Sequence, residues 1–590
     1  MPDETEIPPD IMDAAYSDGS YGPLTFEEYC IATAQDFLLS TYSQTWSPGF
    51  NMSGLNMPGP MQTMSGGNSQ NSSSQYDAVF VVDTLQDAAN PGNGAMSLRK
   101  AITSANAVSG TSLITFADTL NGTMPLNGTT LPAMTKSMDI IGPGADVLTI
   151  SGNNQGRIFV ANTADTTVTI AGMTLTNGYS TASGGAIGFS AASGVLYDLV
   201  VQNSQTTSTY GGAIYVTGSN SFVIDNCVVI GNQTATTSGK YGGGAWISYT
   251  GEVTITNSTF AENESYYGGG LTLLSNGNNT LDNVVIEDNE AYNGGGLYMT
   301  RTTSATYLDK TNDIVITNSR IRNNTSLSYA GGAVIAYSGN VTMMNSVISS
   351  NVSGAYTGGV SISTTGDILI RDSVIENNTS TTYAGGLMTT RTTSGVFVDQ
   401  PTNLTIQDSV IRNNTAGTHG GGASLNYSEH VSIINSEFSG NTASTNVAGG
   451  VYLYSTISST VTGSVFRNNT SGSNGGAISI ARHATTYAHQ ANAITITNTT
   501  IANNSSVTYG GGIHITSDSS LVLNGSTLSD NTSARGGGVY QTNGTVTVQN
   551  TQITRNHATL YGGGYYQATG TSQIAANFRG NTAVTSGGAV

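Results

Sequence analysis

Residues Phe260 to Leu273 read F-A-E-N-E-S-Y-Y-G-G-G-L-T-L, and variants of this phrase recur as far as Val590. Each variant has an apolar residue, an Asn three positions later, a short polar run, a glycine cluster and an alternating apolar segment. The residue after the glycines marks fifteen units from Ala186 to Ala589, mostly 26 to 28 residues apart. A period of this length indicates stacked supersecondary units rather than several separate globular domains.

One unit predicts three short sides around a shared core. Val253 and Ile255 alternate inward as the first side, Phe260 fills the second, and Leu271 and Leu273 form the third. A single unit cannot bury its apolar side, whereas units stacked about 4.8 Å apart share one core and continuous sheets. The sequence therefore predicts an all-β fold, a parallel β-helix.

Asn and Gly residues predict the corners of this unit. Asn257 and Asn263 are expected at two corners, because Asn tolerates a left-handed backbone and its side chain can bond a neighbouring amide. The glycine cluster permits a sharp third corner. Asn recurs at the second of these positions in unit after unit, so like side chains are expected to stack.

Composition excludes several classes of protein. Charged residues make up 9% of the chain, which carries 74 glycines and a net charge of -19. A surface this acidic disfavours nucleic acid as a partner. Cys30 and Cys227 are too few and too distant for a disulfide framework or a thiolate metal site. No apolar run approaches about 18 residues, so no membrane-spanning segment is expected, and Met1 to Glu4 shows no basic start of a secretory signal.

The N-terminal part differs from the repeats. Residues 1–76 are interpreted as one amphipathic helix, Thr25 to Gln44, followed by a linker rich in Gly, Ser, Asn and Met, with a disordered tail as the alternative. A second helix is predicted after Ser97, because Leu98, Ala101, Ile102 and Ala105 fall on one helical face. That short helix is expected to cap the first edge of the β-helix.

Two stretches resemble known families. M-S-L-R-K-A-I-T-S-A-N from Met96 and the segment from Ile141 to Phe159 resemble the CSLREA-type region that opens many bacterial surface β-helix proteins, although Met96 and Lys100 replace its usual Cys and Glu. G-G-A-I at Gly184 to Ile187, with F-x-x-N at Phe260 to Asn263, resembles the repeats of chlamydial polymorphic outer-membrane proteins, which are surface adhesins. These resemblances imply a right-handed β-helix at a cell surface, which agrees with the preference for right-handed crossovers. They divide the chain into residues 1–76, a cap at 77–160 and a repetitive region at 161–590.

Every third unit is longer, which predicts three projecting loops. Each insertion follows the apolar segment that begins directly after a glycine cluster, at residue 297, 387 or 477, and these positions are 90 residues apart. Loops on a rigid scaffold commonly carry function, so they are interpreted as candidate interaction loops. Their candidate residues are Arg301, Tyr307, Asp309, Arg391, Phe397, Asp399, Arg482 and Tyr487.

Five tyrosines directly precede a glycine cluster and are expected at the same corner of different coils: Tyr210, Tyr241, Tyr267, Tyr509 and Tyr561. Simple corner packing is the preferred interpretation, and binding of a glycan or a protein partner by these rigid, amphipathic rings is the alternative.

No catalytic or metal-binding residues are assigned. Acidic groups such as Asp282, Glu287, Asp288 and Glu290 are interpreted as solvated surface charges, and the six histidines as exposed residues. N-x-S/T triplets at Asn324 and Asn378 are interpreted as polar corners rather than glycosylation acceptors. No cofactor is expected, and calcium held by carboxylates and turn carbonyls stays an alternative.

The sequence thus predicts a non-enzymatic extracellular or cell-surface protein, an adhesin or a structural component. A carbohydrate-active β-helix enzyme, a polysaccharide lyase or hydrolase, is the alternative. Expected partners are a cell-surface protein, a glycan or a second copy of the chain joined end to end, since Gly587 to Val590 begin a further coil.

Overall fold

The computed structural model describes residues 76–589 except residues 236, 249–250, 276, 301–311, 392–401, 483–491 and 517–518. The helix predicted at Thr25 to Gln44 lies outside the described residues. The described residues form one compact unit that begins at Tyr76.

The described chain winds through three parallel sheets in a fixed order. Each coil passes through two consecutive strands of sheet 1, one strand of sheet 2 and one strand of sheet 3 before it returns to sheet 1. Every strand pairs in parallel with the equivalent strand of the next coil, for example Val253 with Asn279 and Leu271 with Leu297. This is a parallel β-helix, as predicted.

Sheet 1 contains 31 described strands, and most coils contribute two of them. They are Ala78–Val82, Ser112–Phe116, Gly122–Pro125, Met138–Ile141, Leu148–Ser151, Thr167–Thr176, Ser193–Gln202, Ser221–Asp225, Val228–Ile230, Glu252–Thr256, Thr259–Ala261, Asn279–Asp282, Val285–Glu287, Ile314–Thr317, Arg320–Arg322, Val341–Met344, Val347–Ser349, Ile368–Arg371, Val374–Glu376, Asn403–Gln407, Val410–Arg412, His430–Ile434, Glu437–Ser439, Ser458–Thr462, Val465–Arg467, Ala493–Thr497, Thr500–Ala502, Ser520–Asn524, Thr527–Ser529, Thr545–Thr554 and Thr571–Arg579.

Sheets 2 and 3 each contain 15 described strands. Those of sheet 2 are Tyr179–Ser180, Gln205–Thr206, Gln233–Thr234, Glu264–Tyr267, Glu290–Asn293, Thr325–Ser326, Val352–Ser353, Thr379–Ser380, Thr415–Ala416, Thr442–Ala443, Thr470–Ser471, Ser505–Ser506, Thr532–Arg535, His557–Tyr561 and Thr582–Ala583. Those of sheet 3 are Phe159–Ala161, Ile187–Ser190, Ile214–Thr217, Ala245–Ser248, Leu271–Leu274, Leu297–Met299, Ala333–Ser338, Val360–Thr364, Leu387–Arg391, Ala423–Asn426, Val451–Tyr454, Ile478–Ala481, Ile513–Ile515, Val539–Gln541 and Tyr565–Gln567.

The helix Leu98–Asn106 packs on the first strands of sheet 1, as its apolar face predicts. Leu98, Ala101, Ile102 and Ala105 are buried in the common core. Ser97 caps the helix, since its hydroxyl accepts a hydrogen bond from the Lys100 amide at 3.1 Å. The predicted capping helix is therefore confirmed.

Two details of the predicted coil are wrong. Phe260 lies in the same sheet as Val253 and Ile255, because Asn257, with φ of +50°, bends sheet 1 rather than separating two sides. The second side is Glu264–Tyr267. Asn263 does not take the left-handed backbone either, since Glu262 before it has φ of +55°.

The stacked Asn residues form a buried hydrogen-bonded ladder between sheets 1 and 2. In one rung the Asn263 amide N–H and Nδ2 both donate to Asn289 Oδ1, at 2.9 and 3.0 Å. Nδ2 also donates to the Val229 carbonyl at 2.9 Å. Each Asn side chain thus satisfies backbone groups of the preceding coil, which fixes the corner in the same register from coil to coil.

Candidate functional site

The glycine corner between sheets 2 and 3 is tight because side chains are excluded from it. Gly268 has φ of +60°, and a Cβ on Gly269 would meet the Gly295 carbonyl oxygen of the next coil at 2.4 Å. The backbones of successive coils therefore touch at this corner. Large side chains accumulate on either side of it.

The predicted tyrosine corner is formed in the first coils. Tyr210, Tyr241 and Tyr267 pair in register on consecutive coils, and their ring centroids are separated by 5.7 Å and then 4.5 Å. Tyr509 and Tyr561 occupy the same corner farther along the chain, but Arg535 lies between them. The structure therefore places the five tyrosines at one corner but divides them into two groups.

A second row of rings comes from sheet 3, across the glycine corner. Tyr215 and Trp246 are register partners whose rings stack at 5.1 Å, and Tyr210 stacks on the indole at 4.2 Å. Tyr298 occupies the same outward column two coils after Trp246 and lies 5.2 Å from Tyr267. Each of these residues immediately follows the first inward residue of its strand, so its side chain faces outward.

Tyr266 and Tyr292 form a third row, in which their rings stack at 4.6 Å with the planes 10° apart. Tyr329, Tyr356 and Tyr383 each stand four residues before the first inward strand residue, as Tyr267 does, and their rings follow with spacings of 4.8 and 5.6 Å. His419 then stacks on Tyr383 at 5.4 Å and leads to Tyr452 and Tyr454, at centroid spacings of 5.6 and 5.4 Å.

These three rows are called the aromatic track. It spans nine coils, or roughly 38 Å at the usual strand spacing. It consists of Tyr210, Tyr215, Tyr241, Trp246, Tyr266, Tyr267, Tyr292, Tyr298, Tyr329, Tyr356, Tyr383, His419, Tyr452 and Tyr454.

The track combines buried rings with exposed ones. Tyr298 is 3% exposed and Tyr292 is 39% exposed, while most of the others are half-buried. Burial raises the pKa of Tyr267, Tyr298 and Tyr329 above the ordinary value, and neighbouring phenols add to the effect. These three phenols therefore stay neutral.

Two carboxylates lie beside the track on sheet 2. Glu264 and Glu290 are register partners on consecutive coils, and each stands two residues before one ring of the stacked pair Tyr266 and Tyr292. Burial, followed by the charge of Glu290, raises the pKa of Glu264, although Gln233 Nε2 donates a 2.8 Å hydrogen bond to Glu264 Oε2. This pair therefore places two carboxyl groups side by side on consecutive coils, and the pKa of the first is raised above its ordinary value.

The other acidic candidates do not converge on a site. Asp282 accepts 2.6 and 2.7 Å hydrogen bonds from Thr317 and Asn318. Glu287 forms a 2.6 Å ion pair with Arg322 of the next coil, so this predicted surface charge has a basic partner. These contacts join neighbouring coils, and the Asp282 and Glu287 carboxylates lie on the face of sheet 1.

The histidines are not uniformly exposed, which corrects the sequence interpretation. His514 is 3% exposed, and burial lowers its pKa to about 4. His419 is half-buried and belongs to the aromatic track. Among the described residues, no group of three or more His, Cys, Asp or Glu side chains is arranged to hold a metal ion.

Asn324 and Asn378 belong to the buried ladder, and both are fully buried. The folded chain therefore does not offer these two amides for glycosylation.

The candidate loop residues mostly lie outside the described residues: Arg301, Tyr307, Asp309, Phe397, Asp399 and Tyr487. Arg391 ends a strand of sheet 3, and Arg482 follows the strand Ile478–Ala481.

Sequence reasoning missed most of the track. Trp246 and Tyr298 occupy the outward position after the glycines, and Tyr329, Tyr356 and Tyr383 precede a two-glycine cluster by two residues instead of one. The sequence does contain a signal for these tyrosines. When units with two and with three glycines are aligned on the first inward strand residue, the tyrosines fall at the same position in each unit.

This architecture defines a class of solenoid protein: a parallel β-helix whose glycine corner carries rows of stacked aromatic rings. Family comparison identifies the chain more closely. The model for the right-handed β-helix region matches residues 145–311, 185–379, 243–438 and 394–589, and the chain belongs to this family. The predicted right-handed fold is thus confirmed, whereas the CSLREA-type and chlamydial resemblances stay predictions. No curated protein matches the sequence.

Solved structures that match the fold include two epimerase modules and a lyase. The A-module of Azotobacter vinelandii mannuronan C-5 epimerase AlgE6 is 16% identical, with 62% of this chain and 93% of that chain covered and a TM-score of 0.38. The AlgE4 A-module from the same organism is 13% identical over 70% and 94%, with a TM-score of 0.31. The PL6 family alginate lyase AlyGC is 11% identical over 86% and 99%, with a TM-score of 0.21.

These matches correct the prediction that the protein is not an enzyme, because all three solved structures are of enzymes. At these identities and TM-scores they show the fold alone and transfer no activity or substrate to this chain. None of the helices in the described ranges has the length and apolar character needed to span a bilayer.

Proposed function

We propose that the protein binds a linear polysaccharide along the aromatic track. The observation that carries this proposal is the series of ring contacts along nine coils, with centroids of contacting rings mostly 4.2 to 5.7 Å apart. Tyrosine rings suit sugars because they combine a flat apolar face with a hydroxyl that donates and accepts hydrogen bonds. A straight row of such rings fits an extended chain better than a compact ligand.

The electrostatics favour a largely neutral chain. The protein has a net charge of -19, and the phenols of the track are held in the neutral form by burial. A densely charged polyanion would be repelled by the protein, whereas an uncharged polysaccharide would not. The extracellular or cell-surface location predicted from the sequence stays a prediction.

We expect affinity to rise with the length of the ligand until the track is filled. Each further sugar unit adds stacking contacts without the full entropic penalty of a separate binding event. Titration calorimetry with a size-graded series of neutral oligosaccharides and their parent polysaccharide measures this directly. If no polysaccharide binds, or if affinity is independent of length beyond one sugar, the proposal fails.

Cleavage of the bound chain is a second candidate function, favoured by Glu264 and Glu290. Carboxyl groups on neighbouring coils are separated by about the strand spacing, which is close to the roughly 5 Å of retaining glycosidases. The raised pKa of Glu264 suits a proton donor, and Glu290 is placed to act as the second carboxylate.

Prolonged incubation with a bound polysaccharide tests this second function. We expect new reducing ends, measured by a colorimetric assay, and we expect none from Glu264→Gln, which keeps the shape of the side chain but cannot donate the proton. Reducing ends released by the substituted protein would show that Glu264 and Glu290 are not the acid and base. If the unaltered protein releases none, the cleavage function fails and only the binding function is retained.

A further inference from the structure

A second aromatic cluster lies near the C-terminal end of the described chain, at the same corner as the track. Tyr509 and Tyr540 stack at 4.3 Å, and Tyr540 and Tyr566 stack at 5.3 Å. Arg535 lies in the corner column between Tyr509 and Tyr561. Its guanidinium carbon is 5.6 Å from the first ring centroid and 5.9 Å from the second. A half-buried cation is thus held between two aromatic faces.

Arg535 differs from the arginines on sheet 1. Four of those form ion pairs with a carboxylate of the preceding coil at 2.6 to 2.8 Å: Arg322 with Glu287, Arg412 with Glu376, Arg467 with Glu437 and Arg555 with Asp530. No carboxylate among the described residues forms an ion pair with Arg535. The guanidinium carbon of Arg535 lies over both tyrosine rings, and guanidinium N–H groups are suited to a planar anion.

Two buried polar atoms beside this cluster lack a hydrogen-bond partner. Ser479 and His514 are register partners on sheet 3 and are 1% and 3% exposed. Ser479 Oγ and His514 Nδ1 have no partner in the structure, while His514 Nε2 lies 3.0 Å from Thr542 Oγ1. The His514 ring also contacts Tyr509 and Tyr540, at 5.9 and 5.7 Å. Leaving buried polar atoms unpaired is unfavourable, and hydroxyl groups of a bound ligand would remove that penalty.

We propose that Arg535, Tyr509, Tyr561 and His514 form a subsite for an acidic sugar within an otherwise neutral glycan. This inference rests on the proposed function and specifies its ligand further. The guanidinium edge would pair with a carboxylate or sulfate on the sugar, and the tyrosine rings would contact its apolar face. Because the whole protein is strongly acidic, the subsite suits one isolated anionic residue rather than a polyanion.

The test compares a neutral polysaccharide that the protein binds with two lightly substituted forms of the same polymer, one carboxymethylated and one sulfated. We expect the unaltered protein to bind at least one substituted form about fivefold to tenfold more tightly than the parent, as one charge-assisted contact would produce. Arg535→Gln should remove this preference and leave affinity for the parent polymer unchanged. Arg555→Gln, which loses an exposed ion pair with Asp530, should keep the preference.

The outcomes separate the two proposals. Binding of the parent polymer with no preference for either substituted form overturns the subsite alone, as does a preference that survives Arg535→Gln. No binding of any of the three polymers by the unaltered protein overturns the polysaccharide track as well. Circular dichroism of both variants establishes that the coils are intact, and a preference for only one substituted form identifies carboxylate or sulfate as the anion.

Discussion

Replacing Tyr241 and Tyr267 together by alanine is expected to weaken polysaccharide binding about 30- to 150-fold. These rings stack on each other at 4.5 Å and link Tyr210 to Tyr298, so the double substitution interrupts two rows of the track at one point. Aromatic contacts contribute about 0.5 to 1.5 kcal/mol each beyond the area that they bury. A combined loss of about 2 to 3 kcal/mol corresponds to the stated range.

The matched control is Tyr197→Ala. Tyr197 is also half-buried, but it lies on the outer face of sheet 1, away from the glycine corner. Affinity should be measured by calorimetry for all three proteins, with thermal unfolding to show that the double variant retains its coils. An equal loss of affinity in Tyr197→Ala, or no loss in the double variant, would show that the polysaccharide does not follow the track.

The fold was predictable because each repeated residue type has one physical role. Phe260 and its equivalents face the core, the Asn263 side chain bonds the backbone of the preceding coil, and Gly269 leaves room for the next coil. Such requirements recur in every coil, so they are visible as a period. The misplaced corner at Asn257 arose because a left-handed Asn marks a bend and does not reveal whether the strand continues in the same sheet.

The site was only partly predictable because it depends on residues that the repeat does not constrain. The tyrosines directly before the glycines were found because they share a position in the phrase. Trp246 was missed because its ring partner, Tyr210, lies 36 residues earlier in the sequence. Arg535 was missed because its two partners, Tyr509 and Tyr561, lie 26 residues before and after it. Contacts between coils become visible only when the register of each coil is known.

Removing one rung of the Asn ladder is expected to give the largest loss of stability. Asn378 is fully buried, and its Oδ1 accepts hydrogen bonds from the amide N–H and Nδ2 of Asn351, at 3.0 and 2.9 Å. Its Nδ2 donates to the Ile348 carbonyl and to Asn414 Oδ1, both at 2.9 Å. Alanine at this position leaves the backbone N–H and one Nδ2 hydrogen of Asn351 without a partner, and it removes one hydrogen bond from the buried Ile348 carbonyl.

Each such group costs about 1 to 3 kcal/mol, so Asn378→Ala should lower the free energy of unfolding by about 3 to 6 kcal/mol. The loss should be concentrated in adjacent coils, because the stability of a solenoid is a sum of terms between neighbours. Thr379→Ala is the control, since its side chain is exposed and surface changes are usually within about 0.5 kcal/mol. Urea unfolding measures the loss of free energy, and native-state hydrogen exchange shows which coils lose protection. Equal midpoints and equal exchange for the two variants would mean that the ladder sets the register of the coils without stabilising them.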